Sequence, residues 1–283
     1  MFMKKVLYTT ATLFACLGSA SASLWVDFNS NQDGGGTPVV GDPADSANAT
    51  HNAAGYQSYH AAHEVATDFS TASYNTTFAL TGATTVTLTP TWSNTTDNRV
   101  QQSIDRGAGN DANYITPGAF SLDLVTDWIG IDARTGSGGN GNFDGTTGTP
   151  TWIELTLGSL PAGDYSWLSV HHDTENVFGD FNVYIDNGSG YALAGSGYQS
   201  DSTPGGNPSS GAETGGPAST FSTNFTATGS NVAIRFEPLS GATAGLVHNQ
   251  LFAINGFQLD QVPEPSTGLL GLLGAGFLLR RRR

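Results

Sequence analysis

The chain reads as all-β, a two-sheet antiparallel β-sandwich, on three observations. Short runs of β-branched and aromatic residues recur between segments dense in Gly, Ser, Thr and Asn. Within several runs apolar and polar residues alternate, so one face is buried and the other is not. No stretch of ten or more residues keeps a 3.6-residue apolar period with helix-forming composition.

In chain order the predicted strands are Leu24–Asn29, Thr84–Thr89, Phe120–Val125, Thr151–Leu157, Asp164–His171, Phe181–Asp186, Gly190–Ala194, Thr220–Thr226, Val232–Glu237 and Leu251–Leu259. Val183 and Ile185 stand opposite Asn182 and Tyr184, and Val232, Ile234 and Phe236 stand opposite Ala233 and Arg235. Leu160-Pro161-Ala162-Gly163 supplies a turn with proline early and glycine late. Asp186-Asn187-Gly188 tolerates positive φ, so Phe181–Asp186 should pair with Gly190–Ala194 as a hairpin. Residues 31–52 and 196–218 lack periodicity and are rich in turn formers, which predicts long loops.

Both ends carry signals of export. Lys4 and Lys5, the apolar stretch Val6 to Leu17 and the small residues Ala20-Ser21-Ala22 form a secretory signal peptide, a leader helix read by the Sec export machinery and cut at Ala20 and Ala22. Lipoprotein processing at Cys16 competes with this, but Phe14 is bulky where such sites carry a small residue. At the other end, Val262-Pro263-Glu264-Pro265-Ser266 precedes an apolar run from Thr267 to Leu279 and then Arg280, Arg281, Arg282 and Arg283. A helix over that run is about 20 Å long at ~1.5 Å per residue, short of the ~30 Å hydrocarbon core. The four arginines would hold its end on the cytoplasmic side. The expected division is therefore residues 1–22 as leader, 23–261 as one sandwich domain and 262–283 as a sorting segment with a short hydrophobic helix.

This tail resembles the PEP-CTERM sorting signal of Gram-negative-type bacteria. The resemblance implies recognition and cleavage by an exosortase near Pro263-Glu264-Pro265. It further implies transient inner-membrane association, then delivery to the cell envelope, outer surface or extracellular matrix.

Removing both signals leaves four basic residues, all arginine, against at most 24 acids, a net charge near −20. Such a surface repels phosphate backbones and excludes nucleic acid as a partner. With Cys16 in the leader, no cysteine remains for a disulfide, so stability must come from the core.

A second resemblance covers roughly half of the expected domain. Asp127-Trp128-Ile129-Gly130, then Thr151 to Leu157, the Leu160 to Trp167 turn and strand, and the closing Ile254-Asn255-Gly256-Phe257-Gln258-Leu259 look like galactose-binding-like and malectin-like jelly rolls and related carbohydrate-binding modules. The resemblance implies a jelly roll and suggests sugar binding. It transfers no individual contact residue.

Three groups of side chains invite a ligand. His171-His172-Asp173-Thr174-Glu175-Asn176 is predicted as an exposed loop whose imidazoles and carboxylates suit sugar hydroxyls or a metal, although adjacent strand residues point to opposite faces. Its plainer reading is a solvated loop with one histidine packed beneath it. Tyr56 and Tyr59 offer a stacking platform, with packing as the alternative. Asp27-x-Asn29-x-Asn31-x-Asp33 alternates oxygen donors, so a calcium site is expected from Asp27, Asp33 and the distant Asp260. Gln32 in place of the loop glycine excludes an EF-hand, and self-capping turns explain the same pattern. His60 and His63 lie in the wrong order with Glu64 for a zinc protease.

Catalysis is not expected. No Gly-x-Ser-x-Gly elbow joins a strand to a helix, and only Glu154 and Glu237 among the glutamates lie on predicted strands. The leading expectation is non-catalytic binding of extracellular polysaccharide. A structural or adhesive matrix protein without a pocket comes second, and a glycan-processing enzyme third.

Overall fold

The computed structural model describes residues 22–29, 53–60, 76–80, 84–93, 100–105, 118–132, 152–172, 181–200, 217–238 and 251–263. Among these the elements are β1 (Ser23–Asn29), β2 (Gln57–His60), β3 (Thr76–Ala79), β4 (Thr85–Trp92), β5 (Val100–Asp105), α1 (Leu122–Thr126), β6 (Asp127–Asp132), β7 (Ile153–Gly158), β8 (Gly163–His171), β9 (Phe181–Asp186), β10 (Ala192–Tyr198), β11 (Ser219–Ala227), β12 (Val232–Pro238), β13 (Leu251–Ile254) and β14 (Gly256–Gln261).

They form the expected sandwich. The first sheet runs β11-β8-β14-β1-β2 and the second β10-β9-β12-β7-β4-β3. Consecutive strands cross between the layers: β7 lies in the second sheet, β8 in the first, β9 and β10 in the second, β11 in the first and β12 in the second. Pairing is antiparallel except between β1 and β2, which run parallel. A third, three-stranded sheet, β13-β6-β5, joins the same core through Ile129, Ile131 and Ile254.

Alternation writes the core. Val86, Leu88, Pro90 and Trp92 of β4, Ile153, Leu155 and Leu157 of β7, and Val232, Ile234 and Phe236 of β12 face inward. They meet Leu24, Val26 and Phe28 of β1 and Tyr165 and Trp167 of β8. Stacked Trp167 and Phe257, with centroids 4.4 Å apart, fill the middle of the first sheet's inner face.

Besides β2, β3, β5 and β6, which the sequence reading did not contain, and β4, which runs on to Trp92, three predicted segments are corrected. Phe120–Val125 is not a strand: residues 122–126 form α1, capped by Ser121, whose Oγ accepts from the Leu124 amide at 3.4 Å. Leu124 and Val125 pack with Ala53 and Val170 on the outer face of the first sheet, which a strand's two-sided alternation would not permit. A Cβ at Gly256 would lie 2.6 Å from the Val26 carbonyl and 2.7 Å from Leu124 Cδ1, so α1 sits this close because position 256 has no side chain.

The hairpin after β9 forms as predicted, but β10 begins at Ala192 and reaches Tyr198. Asp186 Oδ1 accepts from the amides of Gly188 and Gly190 at 2.8 and 2.9 Å, which holds a longer turn closed. The predicted closing strand Leu251–Leu259 is two strands. Asn255 breaks it, sending β13 to the third sheet and β14 to the first.

Candidate functional site

His171 ends β8 facing inward and is fully buried, as is His172. Neither histidine lies in the exposed loop that was expected to include them. A carbonyl can only accept, so His171 Nδ1 donates to Ala253 O at 2.7 Å, and Nε2 accepts from Ser169 Oγ at 2.8 Å. Burial lowers its pKa to about 4, which keeps the imidazole neutral. This is a core histidine, wedged against Phe181 and Phe236. His172 is anchored through its backbone, whose amide donates to Asn255 Oδ1 at 2.6 Å. Asp173 and Glu175 lie outside the described residues, as do His63, Glu64 and the side chain of His60.

The two tyrosines separate. Tyr59 is buried against Phe28, with centroids 5.3 Å apart, and is no platform. Tyr56 is half-buried on the outer face of the first sheet beside Trp25, 5.5 Å between centroids, and its hydroxyl accepts from Gln258 Nε2 at 2.6 Å.

The described members of the expected calcium site do not meet. On the β1–β14 ladder Asp27 faces Gly256 and Asp260 faces Ser23, so the two acids stand four residues apart, roughly 13 Å along the strands. Asp260 accepts from Trp25 Nε1 at 3.0 Å. Asp27 is fully buried, with Oδ2 accepting from the Ala53 amide at 2.8 Å and Oδ1 without a partner among the described residues. Burial, reinforced by the Asp123 carboxylate, raises its pKa to about 7. Asp33 lies outside the described residues. Among those described, no group of three His, Cys, Asp or Glu stands ready for a metal.

The most developed polar and aromatic cluster is one that sequence reasoning did not assemble. It lies on the outer face of the second sheet and centres on Arg235, the sole lysine or arginine among the described residues. Its guanidinium carbon sits 4.2 Å from the Trp152 ring centroid and 3.9 Å from that of Tyr191. Arg235 Nε and Nη2 donate to Glu154 Oε2 at 3.0 and 2.9 Å, and Nη2 also donates to the Tyr191 hydroxyl at 2.8 Å. Tyr191 in turn donates to Glu154 Oε2. Glu237 Oε1 lies 4.0 Å from Arg235 Nη1.

Register explains the assembly. Glu154 pairs with Arg235 across β7 and β12, and Arg235 with Tyr184 across β12 and β9. Ser93, just past β4, donates its amide to the Trp152 carbonyl at 3.1 Å and fixes the approach to β7. Tyr191 arrives from the hairpin turn and remains 42% exposed. Burial and then the Glu154 contact push its pKa up to about 12, so the hydroxyl keeps its proton and can donate. Outward alternation at Arg235 was the available signal. That Trp152 and Tyr191 would converge on it was not.

The last strand carries the remaining functional feature. β14 closes against β1 and β8, its final residue Gln261 donates to the Ala22 carbonyl at 2.7 Å, and the Val262 amide donates to Asp164 O at 2.8 Å. β14 ends at Gln261, and Val262 just after it is 44% exposed. Residues 261–283 are a PEP-CTERM protein-sorting motif. The PEP-CTERM motif implies exosortase-mediated sorting and a destination in the cell envelope or outside the cell. Its Val262 and Pro263 are exposed at the end of the last strand. Glu264, Pro265 and Arg280 to Arg283 lie outside the described residues, as does Ala20 of the expected leader. Among the described residues no helix is long and apolar enough to cross a membrane.

No curated protein matches the chain. Among solved structures it is similar to the ANXUR1 extracellular domain from Arabidopsis thaliana, at 14% identity and a TM-score of 0.35 over 58% of this chain. It spans 39% of that plant ectodomain. It is also similar to CBM35 from Cellvibrio japonicus Abf62, at 8% identity and a TM-score of 0.27, covering 60% of this chain and 92% of that one. A third similar structure is the K1 cleaved adhesin domain of Lys-gingipain from Porphyromonas gingivalis W83, at 9% identity and a TM-score of 0.34, covering 62% and 90%.

Proposed function

We propose that this protein is exported through the Sec machinery, held briefly at the inner membrane by its C-terminal segment, and cut by an exosortase near Pro263-Glu264-Pro265. It is then delivered to the envelope or matrix, where its sandwich binds extracellular polysaccharide without catalysis. The observation that carries the binding reading is the Trp152–Arg235–Tyr191 stack on an outer sheet face. Sugar rings present C–H faces that pack on such aromatic rings. Their hydroxyls need donors and acceptors at fixed positions, which Arg235, Glu237 and Tyr184 offer around the stack.

The same geometry favours binding over hydrolysis. Glu154 and Glu237, the strand glutamates a glycosidase would use, both flank the Arg235 guanidinium on one sheet face. Both Glu154 oxygens are already engaged, Oε1 by the Thr156 hydroxyl and Oε2 by Arg235 and the Tyr191 hydroxyl, which suits a positioned binding surface better than a reacting carboxyl.

Glycan-array binding by the mature protein tests this reading. Wild type should bind a subset of glycans, and Trp152→Ala with Tyr191→Ala should lose that binding while keeping the fold by circular dichroism. Silence of the wild type across neutral and acidic glycans would defeat the binding role and leave a structural or adhesive matrix component. Mass spectrometry of protein from the cell exterior tests the sorting half, since intact Arg283 on that protein overturns it.

A further inference from the structure

The second sheet's outer face continues well beyond the aromatic stack, and the register shows where it leads. Thr91, Glu154, Arg235, Tyr184 and Leu193 form one row across five strands, from β4 through β7, β12 and β9 to β10. On β4 the outward positions are Thr85, Thr87, Thr89 and Thr91, alternating with buried Val86, Leu88, Pro90 and Trp92. Thr89 pairs with Thr156 of β7, and Thr87 with Thr77 of β3, whose hydroxyl oxygens are 3.4 Å apart.

The described surface therefore passes from an aromatic and charged end, with Leu193 57% exposed, to a field of threonine hydroxyls at the β3 edge. Five inter-strand steps of about 4.8 Å make it roughly 24 Å across. That is room for several sugar rings, more than a chain terminus would use.

Charge decides the class of polymer. Arg235 is the one described cation and already faces Glu154 and Glu237, so a uronate arriving at the stack would meet more carboxylate than guanidinium. Asp186 adds a further acid on the same face of β9. The threonines are uncharged, and each hydroxyl can donate and accept, as a sugar hydroxyl requires of its partner.

Resting on the binding function proposed above, we infer that this face holds an extended, neutral polysaccharide chain laid across the strands, with Trp152 and Tyr191 gripping one end and the β3–β4 threonines the other. The test is titration calorimetry of the mature protein with a disaccharide, tetrasaccharide and hexasaccharide of each neutral polymer in a panel of glucans, galactans and mannans, beside matching oligogalacturonates. Affinity should climb from disaccharide to hexasaccharide on a neutral series and be absent on the acidic one. Replacing Thr77 and Thr87 together by Val keeps β-propensity and shape but removes the far hydroxyls. It should lower hexasaccharide affinity about tenfold and leave the disaccharide unchanged.

A hexasaccharide that binds no tighter than the disaccharide, a double variant that binds like wild type, or tighter binding to the galacturonates overturns the extended neutral track. Those results leave the aromatic site standing if Trp152→Ala with Tyr191→Ala abolishes disaccharide binding. Disaccharide binding that survives that aromatic variant, or no binding to any polymer in the panel, overturns both.

Discussion

Tyr191 lies across the guanidinium of Arg235 at 3.9 Å and donates its hydroxyl to Glu154, the carboxylate that Arg235 also holds. The three side chains lock one another. Arg235→Ala should therefore leave a largely buried Glu154 without its cation and two rings without their filling, costing about 2–3 kcal/mol in urea unfolding. Arg235→Lys should recover less than half, because an ammonium cannot lie flat between two rings or give two donors to one oxygen. Full recovery by lysine would show that only the charge matters.

Asn255 is the buried joint between β13 and β14. Its Nδ2 donates to Asp127 O at 2.8 Å and Val125 O at 3.3 Å, and its Oδ1 accepts from the His172 amide at 2.6 Å. Asn255→Ala orphans three backbone groups in the interior and should cost at least about 3 kcal/mol. Asn255→Asp should be worse at neutral pH than at low pH, since an ionised carboxylate would face two carbonyls. Thermal unfolding of both variants across pH checks the pair of expectations.

Asp27 and His171 tilt the stability curve in opposite directions. The Asp27 pKa rises on folding from 3.8 to about 7, so the folded state binds a proton that the unfolded state has lost, and stability falls as pH climbs through that window. The His171 pKa drops on folding from 6.5 to about 4, so stability falls as pH descends from 6.5 toward 4. Each contribution is on the order of 3–4 kcal/mol, from 1.36 kcal/mol per pKa unit, and over their shared window they largely offset. Relative to wild type, Asp27→Asn should gain stability steadily from pH about 4 to about 7. The deficit of His171→Gln should shrink as pH falls from about 6.5. Variant curves that run parallel to wild type would refute the assignment.

Ala22, expected as the last residue of the leader, is only 9% exposed, packs into the main core and receives the Gln261 amide. A mature chain starting at Ser23 loses that contact, whereas one starting at Ser21 keeps it. The longer form should be about 1 kcal/mol more stable in urea. Equal midpoints for the two would show that Ala22 contributes nothing.

The regular strands were legible because their information is local. Two-residue alternation marked Val183 and Ile185, or Val232, Ile234 and Phe236, as inward, and those residues are buried. β2, β3, β5 and β6 were not read, and α1 was misread as strand, because short segments take their state from what they pack against. Ser121 caps Leu122–Thr126 locally, but what lets α1 pack there is the bare Cα of Gly256 on a strand far along the chain.

The sequence by itself determined the all-β class, the inward face of strands with clear alternation such as Phe181–Asp186 and Val232–Glu237, and the sorting motif, since each is written in consecutive residues or a fixed period. Tertiary structure alone decided what the polar residues do. It sent His171 and Tyr59 into the core and parted Asp27 from Asp260 along a shared ladder. It also drew Trp152, Glu154, Tyr191 and Arg235 onto one outer face. Which side chains meet depends on strand order and register, and those are set by the sum of all pairings rather than by any one segment.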